Sequence, residues 1–373
     1  MEQPSLYRVH LSEPDELDQL EHTWLSIQKT VEDIPFFLTW TWISCWLDTY
    51  KPHFLQVTAY FQETPVCIGL LTLSHITRRN LIRSRQLRLH QTGIPSQDQI
   101  WIEYNDFLAA RTHRHAAVTA CLLKLETLPD WDEMIISMMP RARSIQLDPY
   151  YPHIRRPLNS PAYGISLHQF ERDPARFLPT LSTNTRYQIN KSARIYEQAH
   201  GSLSLEIADT QTMAIDFFHL AGQHHKTRWP DSGFKNTEFV QFHERLIRAT
   251  HASKQTRLMR ISAGDQLIGV LYFLLDSKIA YFYLQGLNYG KDPKLKPGLL
   301  SHSLAIQHFI AQGIRVYDFM GGHSQYKLQL GSFTQQLDMV LIQRPRVVFW
   351  LENLARNLKA TIITALKNSH EQI

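Results

Sequence analysis

The chain has 373 residues, of which 43% are hydrophobic and 20% are charged. This length and composition exclude wholesale disorder and predict two domains or one large domain. The 39 Lys and Arg residues exceed the 34 Asp and Glu residues, which gives a formal charge of +5, and they are spread along the chain. The charge therefore favours anionic partners without selecting among phosphate-bearing cofactors, nucleic acid and acidic lipid surfaces.

The cysteines and the first residues bear on the compartment of the protein. Cys45, Cys67 and Cys121 have no CxxC spacing and lie in apolar segments, so we expect neither a disulfide framework nor a zinc site. The first residues are polar and acidic and do not have the pattern of a secretory signal. Apolar runs are all much shorter than the roughly 20 residues that cross a bilayer. We therefore expect a cytoplasmic protein.

Two helices, an antiparallel meander and a helix followed by a strand are predicted in the first half of the chain. Apolar residues recur at helical spacing in the helices, and they form short runs bounded by polar turns in the strands. The predicted helices span 15–29, 39–50 and 112–125, and the predicted strands span 55–61, 64–76, 86–93 and 131–139. The prolines between residues 148 and 161 then indicate a junction between domains.

The second half of the chain repeats this order of elements. Its predicted helices are two basic helices around Ser182 within 173–197, then 210–228 and 299–312, and its predicted strands are 257–261, 266–275, 278–287 and 314–319. We find no residue-level identity between the halves. The sequence therefore predicts a structural duplication and not a sequence repeat.

A loop rich in glycine, proline and lysine, GKDPKLKPG, precedes the helix predicted from Leu299. The backbone N–H groups at the start of a helix, together with its positive end, suit a pyrophosphate. Lys291, Lys294 and Lys296 would add positive charge there. We therefore predict cofactor binding at Lys294, Lys296, Gly298 and Leu299, and the alternative is a simple helix start flanked by solvated lysines.

The segment 281–331 contains a strand, this loop, a helix and the motifs YDFMGG and YKLQLG. This arrangement resembles the second half of FemABX-type aminoacyl transferases. It resembles more closely the large GNAT-fold acyltransferases of the cellulose-biosynthesis or BioF-like acetyltransferase type. The resemblance covers residues 35–345, and it is also supported by the motifs HKTRW, FFLTWTWISCW and YNDFL.

The resemblance implies an α/β (α+β) fold of two fused GNAT-like modules with mixed, largely antiparallel sheets flanked by helices. It divides the chain into a degenerate N-terminal module at 1–160, a C-terminal module with the active site at 161–343, and a tail at 344–373. Apolar residues at helical spacing among basic residues predict a basic amphipathic helix in the tail. Such a helix either lies on an acidic membrane surface or docks on its own protein or on a second subunit.

The resemblance also implies an N-acyltransferase that uses a thioester donor. The expected donor is acyl-CoA or an acyl carrier protein thioester. The usual GNAT pyrophosphate signature, Q/R-x-x-G-x-G/A, is not present around Gly298, which argues against a conventional coenzyme A grip and leaves an acyl carrier protein or a tRNA as the alternative carrier. The acceptor is expected to be a small-molecule or lipid-like amine. No cysteine or serine has a nucleophile-like context, which favours direct attack over an acyl-enzyme. No histidine pattern indicates a metal site.

Two other functions remain open. One is an aminoacyl-tRNA-dependent ligase of the FemABX type, which needs a basic channel for RNA phosphates. The other is a non-catalytic scaffold in exopolysaccharide or cell-envelope assembly, because a fold alone does not prove catalysis. For all three functions we expect a bacterial cytoplasmic protein, with peripheral contact at the inner membrane through the tail as one outcome.

The motif HKTRW supplies three candidate site residues. His225 is the candidate general base, because an imidazole titrates near neutrality and the attacking amine must be unprotonated. Arg228 offers a planar fork for a carboxylate or phosphate, and Trp229 offers a ring for stacking on an acyl or sugar group. Each of these side chains can equally be a packing residue of a helix.

The strand before the first glycine pair contains Asp318, and a carboxylate is costly to bury unless it is paired or used. We expect its partner to be Lys327 or Arg186. We predict that Asp318 and Lys327 are catalytic residues, with Asp318 orienting Lys327 and Lys327 holding the oxyanion or a donor phosphate. Tyr326 is predicted to bind substrate. The alternative for the pair is a structural salt bridge.

Tyr283 and Gln285 are the last candidates. In a regular strand, residues two apart lie on the same face, so both side chains are predicted to line the groove for the acceptor. Core packing is the alternative for Tyr283.

Overall fold

The computed structural model describes residues 4–14, 16–78, 81–151, 154–170, 172–290, 292–352 and 354. Its helices are α1 Leu17–Gln28, α2 Trp40–Tyr50, α3 Arg114–Glu126, α4 Arg141–Ser144, α5 Phe177–Thr180, α6 Thr183–His200, α7 Gln211–Arg228, α8 Thr237–Thr250, α9 Pro297–Ala311 and α10 Gln325–Leu330. Its strands are β1 Tyr7–Ser12, β2 Leu55–Phe61, β3 Thr64–Arg78, β4 Ile82–Leu89, β5 Leu108–Ala109, β6 Glu133–Pro140, β7 Arg155–Ser166, β8 Leu203–Ile207, β9 Thr256–Ala263, β10 Gln266–Leu275, β11 Ile279–Leu287, β12 Val316–Gly321 and β13 Phe333–Gln343. The strands form one mixed, largely antiparallel sheet flanked by helices, which confirms the predicted fold class.

Exchanged strands join the two halves of the sheet. The strand order is β1-β2-β3-β4-β6-β13-β7-β12-β11-β10-β9-β8, and β5 pairs with β3. Each half has four antiparallel strands, then a crossover helix, then a fifth strand parallel to the fourth, which gives the pairs β4–β6 and β11–β12. The next strand of each half pairs with the fifth strand of the other half, so β7 lies beside β12 and β13 beside β6. The sequence thus correctly predicts a doubled order of elements.

Both halves contain the same distortion in the fifth strand. Met138 of β6 and Met320 of β12 have left-handed backbone, with φ of 54° and 61°. The pairing register shifts beside each of them, where β6 pairs with β13 and where β12 pairs with β7. This conformation costs a non-glycine residue about 1–2 kcal/mol, so strain is concentrated where the exchanged strands meet.

The two halves also share a hydrophobic core. The ring centroid of Trp42, in α2, lies 4.8 Å from that of Phe37 and 4.8 Å from that of Phe242, in α8. All three rings are buried. The predicted boundary between residues 160 and 161 falls inside β7, and the division into two modules and a tail stays a prediction.

Side-chain caps start three helices of the second half. Ser182, Thr210 and Asn236 each accept a backbone N–H of the first turn, at the starts of α6, α7 and α8. The sequence predicted the first two of these helices. It missed α8, although Asn236 and the spacing of Phe239 and Phe242 are a helix signal. Also missed were β1, β8 and β13.

The proline-rich segment is not a linker along its whole length. Residues 155–161 belong to β7, a central strand that pairs with both β13 and β12. Pro161 lies opposite Gln336 of β13. Because the strand is central and continuous with residues 162–166, the expected junction at 148–161 is wrong for this part.

The described start of the tail packs against the first half of the chain. Residues 347–352 are helical, Phe349 is 2% exposed, and Arg78 forms an ion pair of 3.1 Å with Glu352. Most of the predicted amphipathic helix, from residue 355 onward, lies outside the described residues. Within the described part of the chain, no helix has the length and apolar character needed to span a membrane.

Candidate active site

Strands β11 and β12 separate in the middle of the sheet. They pair over three residue pairs only, the last of which is Tyr281 with Asp318. Beyond that point β11 continues to Leu287 and β12 to Gly321. The facing edges of 282–287 and 319–321 are therefore not paired with each other, and they form an opening between the strands that we call the wedge. Unpaired strand edges inside a protein need other hydrogen-bond partners.

Asp318 lies at the narrow end of the wedge and is 4% exposed. Its Oδ2 accepts a hydrogen bond of 2.7 Å from the Tyr104 hydroxyl, and its Oδ1 accepts one of 2.6 Å from the Met320 N–H. Burial raises the pKa of Asp318 to about 6, against these two bonds and the charge of Lys327. The expected partner was Lys327 or Arg186. Tyr104 takes that place, while Arg186 donates to a backbone carbonyl.

Lys327, in α10, is also buried, and it bonds to backbone instead of to a carboxylate. Its Nζ donates to the Gly321 carbonyl at 2.5 Å and to the Met320 carbonyl at 3.3 Å. Burial lowers the pKa of Lys327, and the charges of Glu103 and Asp318 oppose this shift. Asp318 and Lys327 thus both hold Met320, one at its N–H and one at its carbonyl. An ammonium has three N–H bonds, which leaves one for a ligand.

Glu103 reaches the same backbone segment from the first half of the chain. Its Oε2 accepts a hydrogen bond of 2.7 Å from the Gly321 N–H. A Cβ at Gly321 would lie 3.1 and 3.2 Å from the two carboxylate oxygens and 2.8 Å from Met138 Cε, so a side chain at this position would displace the ends of the Glu103 and Met138 side chains. Burial raises the pKa of Glu103 to about 7; the Gly321 bond and Lys327 oppose the rise, and Asp318 adds to it. We call Glu103, Asp318 and Lys327 the acid–lysine cluster.

Sequence reasoning missed Glu103 and Tyr104, which lie in the loop before β5. The only signal for this segment was the motif YNDFL, whose first residue is Tyr104. The backbone of Tyr104 is left-handed, with φ of 53°, and so is that of Trp101, with φ of 44°. No spacing pattern in a sequence reveals a loop held in this conformation by contacts with the other half of the chain.

The start of α9 lies at the wide end of the wedge. A Cβ at Gly298 would lie 3.3 Å from a methyl group of Leu287, the last residue of β11. The first-turn amides of Gly298 and Leu299 have no acceptor within their helix, so they are suited to an anion. The side chain of Leu299 is buried in the core, which leaves only its backbone for a cofactor. Lys291 lies outside the described residues.

Helix α6 adds positive charge beside this helix start. The Lys296 N–H donates to a serine hydroxyl of α6 at 3.0 Å. Tyr187 of α6 is exposed, and its pKa is lowered by the hydrogen bond and charge of Lys191 and then by the charges of Arg194 and Lys294. Lys294 therefore belongs to the same basic surface as Lys191 and Arg194 of α6. The sequence alone did not predict that α6 contributes to this surface.

Helix α7 brings Arg228 and Trp229 to the end of β11. A Cβ at Gly286 would lie 2.2 Å from the carbonyl oxygen of Ala221, so α7 packs directly on the strand there. The guanidinium carbon of Arg228 lies 5.8 Å from the ring centroid of Trp229 and 5.4 Å from that of Tyr289. Tyr289 follows β11 by two residues, and all three side chains are exposed. They form an aromatic and cationic surface beside the wide end of the wedge.

His225 lies on α7 shortly before Arg228. Its Nδ1 is 2.8 Å from the Ser232 hydroxyl, and its ring centroid is 5.6 Å from that of Phe234. Burial lowers its pKa, which keeps the imidazole neutral at pH 7. The role of His225 as a general base stays a prediction.

Tyr283 and Gln285 do not share a face, because β11 is irregular at Tyr283, where its register with β10 shifts. Tyr283 and Leu284 consequently both pack in the core under α7 and α8, and the Tyr283 hydroxyl donates to the Ile100 carbonyl. Since Gly286 faces α7, Gln285 points the opposite way, toward α9. Its Oε1 is buried without a hydrogen-bond partner among the described residues. The prediction of one groove lined by both side chains is therefore wrong.

Tyr326 packs between the separated strands. Its ring is stacked on His302 of α9, with centroids 4.8 Å apart and planes 8° apart, and it meets Phe282 and Phe319 edge-on. His302 Nδ1 lies 2.6 Å from the Tyr317 hydroxyl. The aromatic packing of Tyr326 leaves its substrate-binding role as a prediction.

Residues 183–328 match the family model described as acetyltransferase (GNAT) domain. This segment contains α6, the wedge, the start of α9 and Lys327, and it is similar to a GNAT-type acetyltransferase domain. Within the described part of the chain, no group of three or more His, Cys, Asp or Glu side chains is arranged to hold a metal ion. A comparison with curated proteins finds no match.

Solved structures with the same fold include the crystal structure of FemX. It has a TM-score of 0.56 and 7% identity, and the match covers 88% of this chain and 96% of that chain. The structure of L-PGS from Bacillus licheniformis matches with a TM-score of 0.53 and 9% identity, over 93% of this chain and 98% of the other. The C-terminal domain of a putative lysylphosphatidylglycerol synthetase from Agrobacterium fabrum has a TM-score of 0.52 and 8% identity, over 87% and 92%. The resemblance to GNAT-fold and FemABX-type proteins is confirmed at the level of the fold.

Proposed function

We propose that the chain transfers an acyl group from a thioester donor to an amine by direct attack. The observation that carries this proposal is the wedge, which has the acid–lysine cluster at its narrow end and the start of α9 at its wide end. An extended arm with amide groups can pair with the open strand edges, as a peptide does when it adds to a sheet. Such an arm is common to acyl-CoA and acyl carrier protein.

The donor would lie along the wedge with its phosphate at α9. The amides of Gly298 and Leu299 would hold the phosphate, and Lys294 and Lys296 would add charge. In this direction the thioester carbonyl would lie toward Lys327, whose remaining N–H would stabilise the oxyanion. The amine nitrogen bonds to the carbonyl carbon and loses one proton, the carbon–sulfur bond breaks, and the sulfur leaves with the electron pair and takes up a proton to give the thiol.

The acceptor would bind Arg228 and Trp229 beside the wide end of the wedge and extend its amine along the opening toward Lys327. The guanidinium between two aromatic rings suits a carboxylate or phosphate on the acceptor, and the rings suit its apolar part. The described start of the tail exposes Val347 by 75% and Trp350 by 63%. These side chains support peripheral contact with a membrane that carries a lipid-like amine.

The test uses the full chain with acetyl-CoA, longer acyl-CoAs, acyl carrier protein thioesters and aminoacyl-tRNA, each offered with soluble amines and with vesicles containing an aminolipid. Thiol release and mass spectrometry of the product identify the donor and acceptor. Lys327→Met should lower kcat by about 100-fold, whereas Lys124→Met, at an exposed site on α3, should not. Full activity of Lys327→Met would remove Lys327 from the reaction.

Two outcomes would replace this proposal. Turnover with aminoacyl-tRNA alone, with a steep loss of binding as salt rises, indicates the ligase. Binding of a polysaccharide or vesicle without transfer from any donor indicates the scaffold. Sedimentation with anionic but not neutral vesicles, lost in Trp350→Ser, would establish the membrane contact.

A further inference from the structure

We infer that Glu103, supplied by the first half of the chain, is the base that accepts the proton of the attacking amine. This inference rests on the proposed acyl transfer. It gives the first half of the chain a catalytic residue in a site whose other parts come from the second half.

Geometry places Glu103 at the reacting end of the wedge. Its carboxylate lies against Gly321, 2.7 Å from the Gly321 N–H, and Lys327 Nζ bonds the carbonyl of the same glycine. The next residue, Gly322, is exposed, and a Cβ there would lie 3.8 Å from Lys327 Nζ. The carboxylate and the ammonium therefore flank one short stretch of backbone that borders solvent.

Of the two carboxylates in the acid–lysine cluster, Glu103 is the one with an available oxygen. Both oxygens of Asp318 accept hydrogen bonds, and Asp318 is buried. Glu103 is partly exposed, and only its Oε2 accepts a hydrogen bond from the described residues. Its Oε1 is left for a substrate proton.

The charges around Glu103 suit a base that works near neutrality. Lys327 of α10 favours the carboxylate, whereas Asp318 of β12 opposes it, and burial raises the pKa to about 7. Two other titratable groups lie beside Glu103, namely Tyr104 of the same loop and Tyr283 of β11. Both are phenols with raised pKa values, so they stay neutral. A general base is most effective when its pKa lies near the working pH.

The proton balance of the step is complete within the site. As the amine nitrogen bonds to the carbonyl carbon, one of its protons passes to Glu103 Oε1. The carbon–sulfur bond then breaks, and the thiolate takes a proton from Glu103 to leave as a thiol. Glu103 returns to its carboxylate form, and no external oxidant or reductant is required.

Glu103→Gln tests the assignment because glutamine keeps an acceptor for the Gly321 N–H but is not a base. We expect kcat to fall by about 100-fold or more with little change in KM, and the acid limb of the pH–rate profile near pH 7 to disappear. Glu103→Asp should retain that limb at a lower rate. The matched control is Glu63→Gln, whose side chain is 85% exposed in the β2–β3 turn. His225→Gln, measured in parallel, tests the rival base.

A second acceptor separates a lost base from a damaged site. Hydroxylamine is weakly basic and gives up its proton readily, so Glu103→Gln should lose much less rate with it than with an alkylamine. Equal losses with both acceptors, or wild-type turnover of Glu103→Gln, would overturn the role of Glu103. The absence of transfer by the wild-type chain with every donor would instead overturn the proposed function.

Discussion

The Tyr104 hydroxyl donates a 2.7 Å hydrogen bond to Asp318 across 214 residues of sequence. Tyr104 belongs to the first half of the chain, and Asp318 is the last residue of β12 that pairs with β11. Both side chains are buried, so each satisfies a polar group that would otherwise be costly. This bond therefore couples the integrity of the wedge to the position of the loop that carries Glu103.

Tyr104→Phe should destabilise the protein and weaken catalysis together. The substitution leaves one Asp318 oxygen without its donor, which costs about 1–3 kcal/mol in the free energy of unfolding. Because the hydroxyl also lowers the pKa of Asp318, its loss should raise that pKa further above about 6. Urea unfolding and the pH dependence of kcat measure the two effects. Tyr60→Phe, at a half-buried ring beside Arg8, is the control and should change neither.

Gly286→Ala should displace α7 from the sheet. The new Cβ would lie 2.2 Å from the Ala221 carbonyl oxygen and 2.4 Å from the Ala221 Cα, and backbone cannot rotate away as a side chain can. We expect a loss of about 3 kcal/mol in the free energy of unfolding. Gly290→Ala is the matched control, because its nearest neighbour is the end of the Leu295 side chain at 3.2 Å. Equal free energies of unfolding for the two variants would show that α7 can shift away from β11 without destabilising the protein.

Arg228→Lys should weaken acceptor binding and leave chemistry largely unchanged. Lysine keeps the charge but loses the planar group that lies near the rings of Trp229 and Tyr289. The loss of cation–π contacts of about 0.5–1 kcal/mol predicts a two- to fivefold rise in KM for the acceptor at constant kcat. Initial rates at varied acceptor and saturating donor measure this. A fall in kcat with unchanged KM would move Arg228 to the chemical step.

The parts of the fold that depend on local pattern could be predicted from the sequence. Strands β2 and β10 have the predicted bounds, because short apolar runs between polar turns define them. The caps at Ser182 and Thr210 mark the starts of α6 and α7 in the same way. The exchange of β7 and β13 could not be predicted, since strand pairing between distant segments leaves no periodic signal.

In the candidate site, too, the features set by local sequence could be predicted and those set by tertiary structure could not. Asp318 was predicted to be a site residue because a carboxylate in an apolar strand is costly to bury unless it is paired or used. That argument uses only neighbouring residues. Its partner was missed because Tyr104 is brought to it by tertiary structure. The alternation that joined Tyr283 to Gln285 fails at a bulge, and a bulge depends on the register with β10. Predictions that depended only on neighbouring residues in the sequence were therefore better than those that depended on contacts between separate segments of the chain.

Buried histidines should make the protein sensitive to mild acid, and His243 offers the clearest test. It is fully buried among aromatic rings, both ring nitrogens lack hydrogen-bond partners among the described residues, and burial lowers its pKa to about 3. The unfolded chain binds a proton at an ordinary pKa of about 6.5 and the folded chain does not, so stability falls as pH drops from about 6.5 toward 3. This one residue should contribute a slope of up to about 1.4 kcal/mol per pH unit.

His243→Phe should remove that slope and be neutral or stabilising at pH 7, because phenylalanine has no polar atoms to leave unpaired. Measuring the free energy of unfolding of both proteins between pH 7 and pH 4.5 isolates this residue, since Glu103 and Asp318 titrate in both. Their raised pKa values act in the opposite direction, because a carboxyl that binds a proton more tightly when folded gains stability as the pH falls. His22→Gln, at an exposed position of α1, should leave the pH profile unchanged. If wild type and His243→Phe lose stability in parallel on acidification, His243 is protonated in the folded protein and the aromatic cluster admits water.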